Sequence, residues 1–503
     1  MDAFFNGFLL ILQNGALLYM FAGVTLGLIL GALPGLTGSL GIALMLPFTY
    51  HMEPLIALVF LLSIYTGGLF GGAVTAISIN TPGSPANIMT QLDGYPMYQK
   101  GQGGRALGIA LLSSVIGGLI GCVFLVLATE PMANISLKFG NGEMFMVMVF
   151  GISCVGSLSK SPTKSVFSGL FGILLSTIGI STIGGVRGTF GNMFLFEGLP
   201  LVPTLIGLLA LPEVMKLALN QSTPPQFNRG STGLRSILEG FKDVVKRPIQ
   251  TILCSITGVI VGIIPAAGAS VASVLSYNQT KPFSKRGAQF GTGVPEGLIA
   301  AETANNASEG GALATMFVLG IPGSSSTAMM LGALALQGWA AGPKLFIDHR
   351  DVIYTAFSSL FLQQVVMLII GTIVCMLASY IVKIPNRYLL PIILIFTLMG
   401  SYSDRLTTFD MGLMILLGII GYLMKENNFP VLPMILGFLL GRDAESNLIR
   451  ICQQYDNFLD IFKSPITVAL FIVSLISFFA PLVMRHIRSK KERMKQITQK
   501  EEL

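Results

Sequence analysis

Residues 31–39 read GALPGLTGS and residues 262–270 read GIIPAAGAS. Each stretch ends a Gly-rich apolar run with a proline, followed by small and hydroxylated residues. Proline removes a backbone donor and disrupts the turn before it. In apolar surroundings the freed backbone groups must be met by protein, water or ligand. The spacing therefore predicts helices that break inside a membrane rather than loops outside it. A second pair repeats the pattern: NTPGSPA at residues 80–86 and GIPGSSS at residues 320–326. Upstream of that pair, GGAVTA (residues 71–76) aligns with GALATM (residues 311–316). Gly27, Gly31 and Gly35 align with Gly258, Gly262 and Ala266, so the small-residue stripe recurs as well. Two breaks in matching order in each half predict an internal repeat.

The composition agrees with a lipid-dissolved chain. Of 503 residues, 52% are hydrophobic and 11% charged, against roughly 25% charged in soluble domains. Mean hydropathy is +0.74. A spanning helix takes about 20 apolar residues, and the apolar runs suggest about ten to twelve segments or half-segments. The expected fold is an all-α polytopic membrane protein with broken or re-entrant helices. The net charge of +7 does not indicate nucleic acid, because Lys and Arg collect in loops and in the terminal run Arg485, Arg488, Lys490, Lys491, Arg493, Lys495. Clusters of this kind mark the cytoplasmic side. No Lys or Arg precedes Lys100, so the first apolar stretch lacks the basic region of a cleaved signal peptide.

Composition shifts at residues 221–247, a polar, Pro-containing stretch with Arg229, Arg235, Lys242, Lys246 and Arg247. The expected organisation is a first membrane repeat (1–220), a cytoplasmic linker (221–247), a second repeat (248–484) and a basic cytoplasmic tail (485–503). The first half starts from an end without basic residues and the second from the basic linker. Entry from opposite sides makes the repeats inverted, as in many secondary transporters.

Discontinuous helices place half-helix N-termini against anions and loose carbonyls against cations. The candidate substrate-binding residues are Pro34, Gly35, Thr37, Ser39, Asn80, Thr81, Pro82, Gly83, Ser84, Pro265, Gly268, Ser270, Pro322, Gly323, Ser324 and Ser325. A single such break is ordinarily a packed kink; two symmetric pairs are a binding-site signature. Ionisable residues in an apolar segment are functional candidates. The stretch GLIAAETANNASEGGALATM carries Glu302, Asn305, Asn306 and Glu309, and positions 302, 306 and 309 share a helical face. Glu302, Asn305 and Asn306 are candidate ligands of a coupling ion, sodium or a proton; a polar face meeting water or other helices is the structural alternative. The equivalent positions in the first half are Leu62, Thr66 and Leu69, so the acidic character belongs to the second half. Asp93 is expected at a membrane boundary, with Lys100 and Arg105 on the cytoplasmic side. Five isolated cysteines and His51, His349 and His486 show no metal-ligand spacing.

Several long motifs, in order along nearly the whole chain, resemble the large membrane subunit of the tripartite tricarboxylate transporters. They are LGALPGLTG, YTGGLFGGAVTAISINTPGSPA, LDGYPM through GRALG, PEG followed by AETANN and GGALATMFVLGIPGS, and LLPIIL. The resemblance implies a bacterial inner-membrane secondary transporter that imports citrate-like di- or tricarboxylates. It implies a periplasmic solute-binding protein and a small four-helix membrane subunit as partners, and a cation gradient, usually sodium, as driving force. It maps substrate contacts onto Pro34 to Ser39, Asn80 to Ser84, Pro265 to Ser270 and Pro322 to Ser326. The AANN element falls on Thr303 to Asn306, with Thr303 in place of Ala. Glu309 departs from the family pattern, where a small residue is usual, and so does the polar start of the stretch at 276–293.

The alternatives are an autonomous ion-coupled organic-anion carrier and an integral membrane enzyme. An enzyme would need a reactive constellation, and the sequence has no HExxH, no GxSxG and no close Asp pair in an apolar run. It has no Walker A motif for ATP hydrolysis.

Overall fold

The structure, a computed structural model, describes residues 2–13, 15–33, 36–157, 162–181, 183–219, 233–265, 267–381, 386–476 and 478. Pro34, Gly35, Ala266, the first part of the linker and the basic tail lie outside them.

In chain order the helices begin with α1 (Asp2–Gln13), α2 (Ala16–Gly31), α3 (Gly38–Met45), α4 (Pro54–Ile79), α5 (Ile88–Gln99) and α6 (Gly103–Ser136). There follow α7 (Asn141–Ser157), α8 (Pro162–Ser176), α9 (Leu201–Leu205) and α10 (Leu211–Leu219), the last two joined by a π turn. Next come α11 (Leu234–Val245), α12 (Pro248–Ile263), α13 (Gly268–Phe283), α14 (Pro295–Leu319) and α15 (Ser325–Leu336). The series ends with α16 (Leu345–Asp348), α17 (Arg350–Ile381), α18 (Asn386–Arg405), α19 (Thr408–Glu426) and α20 (Val431–Gln454). Among the described residues the only strands are the two-residue pair Gly179–Ile180 and Val186–Arg187. The all-helical expectation holds.

Among the described residues four helices are long and apolar enough to cross a membrane, or up to six spans if each of two bent pairs counts as one. This is fewer than the ten to twelve segments and half-segments expected from the apolar runs. Part of the difference is five apolar helices of 10–17 residues, which cannot span alone. The solvent of these helices shows in what they expose. On α12, Ile249, Leu253, Ile256 and Ile260 are 74%, 60%, 46% and 57% exposed. On α17, Val365, Ile369, Ile373 and Leu377 form a second stripe at every fourth residue, each about half exposed. A protein dissolved in water rarely leaves such continuous apolar stripes open; lipid satisfies them.

The chain forms two compact units, Met1–Leu137 with Pro200–Leu423, and Lys138–Leu199 with Met424–Leu503. In the second unit α20 packs on α7 and α8, with backbones so close that a Cβ on Gly437 would stand 2.2 Å from Gly169 O.

The first unit holds the helix breaks. Here α2 packs along α4 and α12 along α14, and both pairs use glycine for close approach. A Cβ on Gly27 would lie 2.3 Å from Ile64 O, and one on Gly262 would lie 2.2 Å from Ser308 O. All four breaks fall where the prolines predict. α2 ends at Gly31 before α3, α4 at Ile79 before the turn leading to α5, α12 at Ile263 before α13, and α14 at Leu319 before α15. Three of the breaks carry a left-handed residue: Asn80 (φ 57°) and Gly320 (φ 71°) end α4 and α14, and Gly268 (φ 56°) opens α13, a conformation that Gly and Asn tolerate best.

Within the 221–247 stretch the described part is α11, which meets α12 at 81°. It buries Ile237 and Val244 against α6 and carries the Arg105–Asp243 ion pair at 2.6 Å. Arg247 continues the contact to Glu296, at the start of α14, at 2.9 Å.

A buried polar cluster where four helix breaks meet

The breaks lie far apart in sequence and together in space. Ser39 on α3 and Ser326 on α15 share a hydrogen bond of 2.9 Å between hydroxyls. A Cβ on Gly268, at the start of α13, would stand 3.3 Å from Gly323 O and 3.5 Å from Ser324 Cβ. Gly83 sits against the end of α2, where a Cβ would meet Gly31 O at 2.8 Å. The turn at Pro85–Asn87 packs on α13. Each break thus touches another.

New helices leave these breaks under local hydrogen bonds. Thr37 caps α3 by accepting from Leu40 N at 3.2 Å. Ser324 caps α15 in a reciprocal box: its hydroxyl accepts from Thr327 N at 3.2 Å, and Ser324 N donates to Thr327 Oγ1 at 2.8 Å. Of the candidate binding residues, Thr37, Ser39, Ser84, Ser270, Ser324 and Ser325 are half-buried. Pro265, Gly268, Pro322, Gly323 and Gly83 are buried, while Asn80 and Thr81 are exposed.

The acidic stretch forms the middle of α14, buried along its length. Glu302 is fully buried and faces three donors from the first half of the chain. Asn87 Nδ2 donates to Oε1 at 3.2 Å, Thr90 Oγ1 donates to the same oxygen, and Ser114 Oγ donates to Oε2 at 2.9 Å. Ser84 Oγ donates to Asn87 Oδ1 at 2.7 Å, which fixes the Asn87 amide and links the second break to Glu302. Asn306 Nδ2 turns back to Glu302 O at 3.1 Å. The oxygens Asn305 Oδ1, Asn306 Oδ1 and Thr303 Oγ1 are buried without a hydrogen-bond partner among the described residues. Asn305 Nδ2 is buried without a partner among the described residues as well, so α14 carries both donors and acceptors unmet by protein within one turn of Glu302, where buried polar atoms are nearly always paired.

Glu309, two turns further, has Oε1 3.1 Å from Thr66 Oγ1. Thr66 also reaches Gln363 Oε1 at 3.0 Å. Among the described residues no group of three or more His, Cys, Asp or Glu could hold a metal.

Sequence reasoning missed Asn87, Thr90, Ser114, Thr66 and Gln363. Their signal was visible only as hydroxyls and amides in apolar runs, such as ALLSSVIGG at residues 110–118 and SLFLQQVVML at residues 359–368. Thr66 was aligned with Asn306 and read as lacking acidic character; it is a partner of the acid on the other half. Asp93, expected at a membrane boundary, is enclosed by protein. It is fully buried, with Oδ1 accepting from the backbone of Gly291, Gly293 and Val294 at 2.8–2.9 Å and Oδ2 from the Tyr277 hydroxyl at 2.8 Å.

Broken helices converging on buried ionisable groups define a polytopic membrane transport protein. Residues 17–436 match the family described as "Tripartite tricarboxylate transporter TctA family", and the chain belongs to that family. It is 33% identical over 482 residues, 95% of each chain, to "Uncharacterized 52.8 kDa protein in TAR-I ttuC' 3'region" of Agrobacterium vitis. It is also 31% identical to "Uncharacterized protein in TAR-II ttuC' 3'region" of the same organism, over 239 residues that make up 47% of this chain and 98% of the relative. No solved structure matches the chain.

Proposed function

We propose that this chain is the large membrane subunit of a secondary active transporter that imports citrate-like di- or tricarboxylates. A periplasmic binding protein delivers the substrate, a small four-helix membrane subunit works beside the chain, and a sodium or proton gradient drives uptake. The chain sits in a bacterial inner membrane with its C-terminus in the cytoplasm. The observation that carries this reading is the meeting of four helix breaks, the second of which reaches the buried Glu302 through Ser84 and Asn87.

The chemistry fits an anion and a cation in one site. The helices leaving the breaks begin with the positive ends of their dipoles, and the hydroxyls of Thr37, Ser39, Ser84, Ser270, Ser324 and Ser325 supply donors without a fixed charge. Substrate carboxylates are held at the turns after Pro82 and Pro322, with Pro34 to Ser39 and Pro265 to Ser270 completing the walls. Sodium is held by oxygens of Glu302, Asn305 and Asn306, where the buried unpaired Oδ1 atoms lie. The two halves act as inverted repeats, and movement of the broken helices in each half against their scaffold switches access.

Uptake of labelled citrate tests the proposal, using vesicles that hold this chain, the small subunit and the binding protein. Uptake that needs both the inward gradient and the binding protein supports it. Full uptake without any binding protein would make the chain an autonomous carrier. If citrate fails under every condition, the ligand of the binding protein identifies the carboxylate to assay next.

A further inference from the structure

The hydrogen-bond chain that ends on Glu309 contains one proton too few for an ionised carboxylate. Gln363, on α17, donates through Nε2 to Ser359 Oγ at 3.0 Å and to Val59 O at 3.5 Å. Ser359 spends its own proton on Ala356 O at 2.6 Å. The Gln363 amide is therefore oriented with Oε1 toward Thr66, from which it accepts at 3.0 Å. Thr66 has a single hydroxyl proton. Once that proton points at Gln363, the 3.1 Å contact between Thr66 Oγ1 and Glu309 Oε1 is a hydrogen bond only if Glu309 donates it. Reversing the Gln363 amide would free the Thr66 proton only if Ser359 gave up its 2.6 Å bond to Ala356 O and donated to the reversed amide oxygen instead.

The surroundings point the same way. Glu309 is 2% exposed and its Oε2 has no partner among the described residues. The buried titratable side chains of the neighbouring α4 and α6 are Tyr65 and Cys122, both neutral in their ordinary forms. Among the other helices around α14, Cys254 of α12 is engaged with Thr280 and Tyr277 of α13 with Asp93 of α5, while Lys281 of α13 is exposed. α15 has no titratable side chain. On α14 itself, Glu302 stands seven residues away. Among the described residues no Lys, Arg or His pairs with Glu309.

We infer that Glu309 is a proton-binding site, occupied in this conformation, whose carboxyl hydrogen bridges α14 to Thr66 of α4 and through it to Gln363 of α17. Binding adds H⁺ to Oε1 of the carboxylate. Release leaves Thr66 with one proton for two acceptors, so the link between the three helices must break on one side. Tyr65, next to Thr66 on α4, is buried as well. The proton's meaning as a coupling ion rests on the transporter reading; its presence does not.

Infrared difference spectroscopy of the purified chain in lipid nanodiscs separates the two. At neutral pH the wild type minus Glu309→Gln spectrum should show the carbonyl stretch of an un-ionised carboxylic acid, lost on alkaline titration. A spectrum showing only carboxylate bands at neutral pH overturns the inference. Thr66→Val keeps the acid and removes its acceptor, so the same band should move to higher frequency; a band that stays in place would also overturn it. Both readouts stand whether or not the vesicles take up citrate.

Discussion

Ser39 and Ser326, 287 residues apart in sequence, place their hydroxyl oxygens 2.9 Å from each other. The contact joins the helix that leaves the first break to the helix that leaves the fourth. It is also short enough to test whether the two move during transport. In a background without the native cysteines, the pair Ser39→Cys and Ser326→Cys should form a disulfide on oxidation, because the two side-chain tips already meet at 2.9 Å. The expected outcome is uptake that falls to background when oxidised and returns with reductant. Cross-linked protein that still transports would mean that these two helices do not separate.

Ser84 and Ser324 are half-buried at the turns assigned to the substrate. Bulky replacements at both should abolish uptake while membrane insertion stays normal. Wild-type uptake in that double variant would sink the assignment. Ser324 also caps α15, so Ser324→Ala alone should lower stability by about 1 kcal/mol. Thermal unfolding in nanodiscs measures that loss separately from uptake.

Glu302 accepts from Asn87, Thr90 and Ser114. Glu302→Gln keeps the shape but turns an amide group toward donors and removes a charge beside Asn305 and Asn306. The sodium or proton dependence of uptake should change. An ion profile identical to wild type would return Glu302 to a structural role.

Asp93 ties the turn before α14 to α5 through three backbone amides and Tyr277. Asp93→Ala leaves those donors unsatisfied in a buried place, at about 1–3 kcal/mol for each group that finds no water. Hydrogen exchange should speed up at the amides of Gly291, Gly293 and Val294 before other parts of the chain respond. Tyr277→Phe removes a hydrogen bond donated to a carboxylate and should cost about 1.5–3 kcal/mol.

Close packing at the breaks sets a further contrast. A Cβ on Gly262 would meet Ser308 O at 2.2 Å, whereas one on Gly412 of α19 meets nothing within 4 Å. Gly262→Ala should destabilise by about 1–3 kcal/mol as the helices are forced apart. Gly412→Ala should be neutral or stabilise by up to about 1 kcal/mol. Equal melting temperatures for the two variants would contradict the observed α12–α14 contact.

What the sequence settled by itself were features that depend on local chemistry. Composition made the chain helical and membrane-bound, because so few charged residues cannot cover a water-soluble surface. Proline at 34, 82, 265 and 322 placed the breaks, because the missing donor acts on its own turn. The i, i+4, i+7 spacing put Glu302, Asn306 and Glu309 on one face. Which groups meet that face was decided by tertiary structure alone. Asn87, Thr90 and Ser114 reach Glu302 across 188 to 215 residues, and Thr66 reaches Glu309 across 243. A hydroxyl in an apolar run can bond to its own backbone carbonyl four residues earlier, as Ser63 does to Val59 O at 2.7 Å, and such a residue looks the same in sequence as one that crosses to another helix. The small residues that let α2 approach α4, and α12 approach α14, determine which hydroxyls are left to cross. That choice is made by packing, and periodicity carries no record of it.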